Sequence, residues 1–171
     1  MSGGEGVLAI REPSDDSERC YAKVAALLST HLPFAHVEHI GSTSVPGCVG
    51  KGDVDLLVRV SPAEFGRARE ILDWLLARST RNDATESYAE YDWAGAEQEA
   101  GVHLVAAGGT HDDFHRFKAL LLADPILVQR YNALKLRYDG RGMGDYRQAK
   151  DEFITDLLSA APAADPDAAQ E

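Results

Sequence analysis

Apolar residues recur along this chain with two different periods. Over positions 15–32, Tyr21, Val24, Leu27 and Leu28 return at helical spacing; Asp15 or Asp16 can cap the start and Pro33 ends it. Positions 35–40 predict a short strand. Positions 54–60, VDLLVRV, are nearly continuous in apolar residues and predict a strand inside a sheet. Pro62 sits where a helix tolerates it, behind Ser61 as cap, and a helix to about position 77 buries Phe65, Ala68, Ile71, Leu72 and Leu75. Tyr88, Tyr91 and Trp93 predict a third strand, a Gly/Glu turn follows, and positions 102–106 predict a fourth. Three helical stretches come after them, at about 113–123, 125–138 and 145–158.

This order of elements predicts an α/β (α+β) fold, a small mixed sheet flanked by helices with a helical C-terminal extension. One domain over 1–159 is expected, with a core at about 36–107, a helical part at about 111–158 and a disordered tail over 160–171. No apolar run approaches a membrane span, and the first residues carry neither a basic leader nor a long apolar block, so neither a membrane segment nor a secretory signal is expected. Cys20 and Cys48 lie far apart in no metal-ligand spacing, which reads as two free thiols in a reduced, cytoplasmic protein.

Charge narrows the choice of partner. The net charge of −11 would repel a nucleic acid over most of the surface. Positions 111–150 nevertheless hold eight Lys or Arg against five Asp. A mildly basic region within an acidic protein suits a small anion better than a polyanion.

The chemistry gathers in HIGSTSVPGCVGKGDVDLLV, positions 39–58. In an extended strand, residues i and i+2 share a face, so Asp53 and Asp55 are expected to point the same way while Val54 and Leu56 face the core. Two carboxylates held that close repel unless a cation lies between them, and hard oxygen ligands favour Mg2+ or Mn2+ over zinc. The Gly41-Ser42-Thr43-Ser44 turn supplies a phosphate-binding half: a glycine lets backbone N–H groups approach a phosphate, and the hydroxyls add donors. Lys51 can neutralise a further phosphate oxygen. A DxD pair or a GST run alone is more often a turn feature. Ten residues separate Ser42 from Asp53, and both signals in this order favour a site.

Apolar-Gly-Ser, about a dozen residues, then Asp-apolar-Asp-apolar is similar to the signature of polymerase-beta-type nucleotidyltransferases. More closely, HIGSTSVPG followed by Lys-Gly-Asp-Val-Asp-Leu resembles the GrpB family (UPF0157), whose fold is nucleotidyltransferase-like. His103 in GVHLV, Tyr131 and Lys135 in YNALK, and Tyr146, Lys150 and Phe153-Ile154 in YRQAKDEFI extend the match over about 36–154. There are departures: Gly52 and a second aspartate where many members have proline and one aspartate, Phe117-Lys118-Ala119 for Phe-Arg-Asp, Gly101 for the first His of His-Leu-His, and no aromatic in PSDDSERC.

The resemblance implies that Asp53 and Asp55 hold Mg2+ against a nucleoside triphosphate while Gly41 and Ser42 grip its distal phosphates, for transfer of a nucleotidyl group to a small-molecule acceptor. The third carboxylate usual in the superfamily is replaced by His103; a half-buried packing histidine is its bland reading. Glu90 and Asp92 are alternative acids, each expected to face solvent. His39 can orient a substrate or simply pack beside the turn. Lys118, Lys135 and Lys150 can close over the site or lie on solvated helix faces, and Tyr131 and Tyr146 read first as packing aromatics. Cys48 has no base placed to activate it and reads as inert. A nucleotide-binding module without transfer chemistry, and a scaffold with an architectural Gly-Ser loop, are the rival readings.

Overall fold

The computed structural model describes residues 7–11, 14–95 and 98–162. Helix α1 (Asp15–His31) carries acids in its first turn and His31 in its last, the distribution a helix dipole favours. Strand β1 (His36–Ile40) follows, then a 3-10 turn at Ser42–Ser44 and strand β2 (Val54–Val60). A 3-10 turn at Pro62–Glu64 leads into α2 (Phe65–Leu75), so Pro62 opens a turn rather than the α-helix itself. The helix ends earlier than its pattern suggests, because Leu76 is already extended and Ala77–Arg78 form a two-residue strand, β3. Strands β4 (Tyr88–Ala94) and β5 (Glu99–Ala106) come next, then α3 (Phe114–Ala123), α4 (Pro125–Tyr138) and α5 (Met143–Ala160). Asp124 caps α4 by accepting from the Ile126 N–H at 2.8 Å. Of the expected tail, Ala160 closes α5 and positions 163–171 lie outside the described residues.

The five strands form one mixed sheet in the order β1-β2-β5-β4-β3, with β2 and β5 parallel and every other pair antiparallel. One face carries Val54, Leu56 and Val58 of β2 and Val102 and Leu104 of β5, and it packs with Val24, Leu28, Ala68 and Leu72 of α1 and α2 into the main core. Each of these Val and Leu side chains contributes about 1.5–3 kcal/mol by leaving water. The other face has a smaller core of Ile40, Leu57, Tyr88 and Val105 with Phe114 of α3 against it. A third cluster joins Val45 and Cys48 of the Gly-Ser loop to Leu121, Val128 and Tyr131 of the C-terminal helices.

Two contacts tie residues 7–11 to this frame. Fully buried Leu8 packs with Met143 and Tyr146, and its N–H donates to the Arg141 carbonyl at 2.9 Å. Arg11 forms a backbone bridge with Gly50. Arg59 and Asp112 clamp β2 to the α3 approach through two bonds of 2.6 and 2.7 Å.

Candidate functional site

Strand register decides what meets Asp55. It stands opposite Ile40 of β1 and Gly101 of β5, and Gly101 in turn stands opposite Asp92 of β4. The next row, two residues on, is Leu57, His103 and Glu90. Alternation along each strand therefore puts Asp55, His103, Glu90 and Tyr88 on the face away from the main core. His103 Nε2 lies 3.2 Å from Asp55 Oδ1.

The Gly-Ser turn is seated against this carboxylate. Gly41 has φ 74°, the left-handed region, and a Cβ there would lie 2.8 Å from Asp55 Oδ2. Conformation and space both require glycine. Gly101 is open for a related reason: a Cβ would stand 2.8 Å from Asp55 Oδ1, 3.5 Å from His103 Nε2 and 3.6 Å from Arg81 Nη2. Burial pushes the Asp55 carboxyl up, but the hydrogen bond and charge of His103, with Lys150 and Lys51 farther off, outweigh it and hold it below the usual aspartate range.

Behind His103 runs a chain of hydrogen bonds. The Tyr88 hydroxyl is 3.0 Å from His103 Nδ1 and 3.3 Å from Glu90 Oε2. Glu90 is only 5% exposed, contrary to the solvent-facing role expected for it. It survives burial as an anion because Arg81 Nε donates to Oε1 at 2.8 Å and the Asn82 amide donates to Oε2; together with His103 they outweigh desolvation and lower its pKa. Arg81 also pairs with Asp92, so both alternative acids are already engaged by one guanidinium. Arg81 and Asn82 escape sequence reasoning because they sit in a loop with no period.

Lys135 corrects a second expectation. It is 0% exposed, not part of a solvated face. Its Nζ donates to Ser42 Oγ at 2.8 Å and to the Val49 carbonyl, lies 3.1 Å from Cys48 Sγ and stands 3.8 Å from the centre of the Tyr131 ring. Burial lowers its pKa while the contact with Cys48 opposes that. Cys48, read from sequence as lacking any base beside it, thus has the Lys135 amine as a neighbour. One signal was present: Val128, Tyr131 and Lys135, the buried residues of α4, share a stripe at i, i+3 and i+7.

The remaining predicted residues divide into those at the site and those that brace it. Asp53 precedes β2, is 52% exposed and pairs with Lys51 at 2.7 Å. The Thr43 hydroxyl donates to the Asp53 carbonyl at 3.2 Å and meets His39 Nε2 at 3.0 Å, while Ser44 donates to the Gly41 carbonyl at 2.7 Å. His39 stacks on Tyr21 of α1 at 4.6 Å, and burial lowers its pKa, so it supports the turn from the α1 side. Lys118 pins α3 to β1 through Glu38 at 3.1 Å and the His39 carbonyl at 2.7 Å. Tyr131 is packed between Phe117 and Phe153, and burial raises the Tyr146 hydroxyl to about 12. Lys150 is half-buried, makes no hydrogen bond or salt bridge among the described residues, and contributes to the field at Asp55.

A divalent metal can be tested against these donors. Among the described residues no three of His, Cys, Asp and Glu gather closely enough to hold an ion, so Asp53, Asp55 and His103 do not form a closed cage. The Asp55–His103 pair offers one oxygen and one nitrogen. The carboxylate fits a magnesium-like ion whose other positions go to water and substrate phosphates, the imidazole suits a softer divalent ion, and two protein donors do not fit a structural metal.

The comparisons agree with this architecture. The GrpB protein family model matches residues 8–160. A UPF0157 protein of Vibrio cholerae is 34% identical over 148 residues, covering 84% of this chain and 77% of the relative. A UPF0157 protein of Deinococcus radiodurans is 31% identical, covering 76% of this chain and 69% of the relative. In three dimensions the chain is similar to the conserved protein GrpB from Enterococcus faecalis, with a TM-score of 0.66, 20% identity and coverage of 87% and 99% of the two chains. A looser likeness, TM-score 0.48 and 15% identity, links 72% of it to 40% of the Cid1 poly(U) polymerase. No described helix is long and apolar enough to cross a membrane. The match of the family model over nearly the whole described chain makes this protein a member of the GrpB family.

Proposed function

We propose that this protein is a metal-dependent nucleotidyltransferase that moves a nucleotidyl group from a nucleoside triphosphate to a small-molecule acceptor. One observation carries the reading: Gly41 brings the Gly-Ser turn so close that its missing Cβ is all that separates it from the Asp55 carboxylate. A phosphate held at the turn lies next to the Asp55–His103 pair. Ser42 Oγ accepts from the buried Lys135 ammonium, which leaves the hydroxyl proton free to donate to a distal phosphate oxygen. Lys51 and Asp53 pair with each other at 2.7 Å; Lys51 would neutralise a phosphate oxygen and Asp53 would join Asp55 as a metal ligand. Asp55 Oδ1 and His103 Nε2 would hold Mg2+ or Mn2+. When bound, that ion neutralises charge at the transferring phosphate and lowers the pKa of the attacking hydroxyl.

A second reading, a nucleotide-binding module without transfer chemistry, draws on the engagement of Glu90 and Asp92 by Arg81, which withholds a third carboxylate. Thermal unfolding with nucleoside triphosphates, with and without Mg2+, tests both: the midpoint should rise only when both are present. Ser42→Ala should weaken triphosphate binding more than monophosphate binding, by about 1.5–3 kcal/mol. If no triphosphate moves the midpoint with either ion, the reading fails. Pyrophosphate release with a panel of hydroxyl acceptors separates transfer from binding.

A further inference from the structure

We infer that Cys48 and Lys135 are an oxidative modification site, in which dioxygen joins the two side chains through one oxygen atom as a reducible Nζ–O–Sγ crosslink beneath the Gly-Ser turn. Both residues are 0% exposed, and Lys135 Nζ lies 3.1 Å from Cys48 Sγ. The pair is held from two directions. Asn132 stands three positions before Lys135, on the same face of α4. Its amide donates to the Gly47 carbonyl at 2.7 Å, and its side-chain oxygen accepts from the Val49 N–H at 2.9 Å. The residues before and after Cys48 are thereby stitched to the helix that carries the amine. Nζ also donates to Ser42 Oγ and the Val49 carbonyl, so it cannot swing away without leaving buried acceptors bare.

The geometry selects the product. At 3.1 Å a direct S–N bond cannot form unless the loop moves, whereas one interposed oxygen closes the gap with a small shift. Cys48 packs with Val45, Leu121, Val128 and Tyr131, an apolar surround that admits dioxygen more readily than a strongly hydrated oxidant. One dioxygen balances the step. One of its atoms bonds to both Nζ and Sγ, and the other leaves as water with the thiol hydrogen and one amine hydrogen. Sulfur and nitrogen each give up two electrons, and these four reduce the dioxygen. The amine reacts uncharged, and burial pushes Lys135 in that direction. Once linked, Nζ keeps a single hydrogen and no charge, so it cannot serve both Ser42 and Val49. Weaker phosphate binding at the turn is the consequence; it rests on the proposed function, while the crosslink does not.

Full-length protein, purified in dithiothreitol without oxygen and then equilibrated with air in its absence, is read by intact mass and by tryptic digest. The expected species is about 14 Da heavier, one oxygen gained and two hydrogens lost, and fresh dithiothreitol returns it to the reduced mass. In the digest the peptide containing Cys48 should be joined to the peptide containing Lys135, with Cys20 still a free thiol. Gains of about 16 or 32 Da at Cys48, a sulfenic or sulfinic acid without the lysine, overturn the inference, and so does an unchanged mass. Cys48→Ser and Lys135→Arg should each abolish the link, and a mass gain of about 14 Da that persists in either also overturns it. If a variant does not fold, the wild-type digest alone decides. Linked protein whose unfolding midpoint still rises fully with a nucleoside triphosphate would sustain the crosslink and remove Ser42 from the phosphate site. Reduced protein with no triphosphate response would sink the proposed function and leave the crosslink standing on its own digest.

Discussion

The two faces of the sheet are made from the same strands and obey different rules. Beneath α1 and α2, Val54, Leu56, Val58, Val102 and Leu104 are all 0% exposed, and their requirement is volume. On the opposite face the alternate positions are Asp55, Leu57, Gly101 and His103, and the polar ones need partners in a stated direction. Leu57 belongs to the smaller core, so the polar row is supported by apolar neighbours without being enclosed. The difference teaches that core packing and the residues of the proposed site alternate along β2 and still answer to separate requirements.

The largest effect that would break this separation is a cavity in the main core. Leu56→Ala should cost about 2–5 kcal/mol in urea unfolding and leave Mn2+ affinity of the folded protein unchanged. Its neighbour should behave in the opposite way: Asp55→Asn is expected to abolish divalent-cation binding by calorimetry while lowering the urea midpoint far less than Leu56→Ala does. If Leu56→Ala also lost cation binding under folding conditions, the two faces would be one unit.

Gly41 lies where both rules apply, so it sharpens the comparison at an intermediate size. Gly41→Ala should lose about 1–2 kcal/mol from its left-handed backbone and also displace the Asp55 carboxylate, lowering cation affinity. Gly47 has φ 77° with nothing within 4 Å of its missing Cβ, so Gly47→Ala should show the strain without the binding defect. Equal binding in both variants would remove the contact between the turn and the carboxylate from the account.

The smallest effect is a matter of pH. Asp55 is held below the ordinary aspartate value in the folded state, so its contribution to stability is complete above about pH 4. It is lost as pH falls through the lowered folded value. The stability difference between wild type and Asp55→Asn should therefore stay constant at neutral pH and shrink on acidification. A difference that grows in acid would reverse the sign of the interaction with His103.

Much of this was legible in the residues. The nearly continuous apolar run of β2 and the helical stretch of α4 are local signals, and both elements have the predicted bounds. The string HIGSTSVPG identified the turn that meets Asp55. Other parts were hidden for physical reasons. Strand β3 is two residues long, too short for any period to register. Lys135 looked like a surface cation because a single lysine on a helix does not announce the carbonyl, hydroxyl and ring that receive it. Glu90 looked exposed because its burial depends on Arg81 and Asn82, eight or nine positions upstream in an irregular loop.

The strap formed by residues 7–11 has a consequence in time rather than in space. Ile10 donates to Asp139 across 129 positions of sequence, and Arg11 bridges Gly50 at the edge of the Gly-Ser loop. Contacts of such separation pay their loop-closure entropy late, after local helices and neighbouring strands have formed. During synthesis the paired strands can assemble while the last two helices are still being made. The loop that carries Lys51 and Asp53 gains its final anchor only when nearly the whole chain is available, so ligand-binding competence should trail the appearance of sheet structure in refolding kinetics.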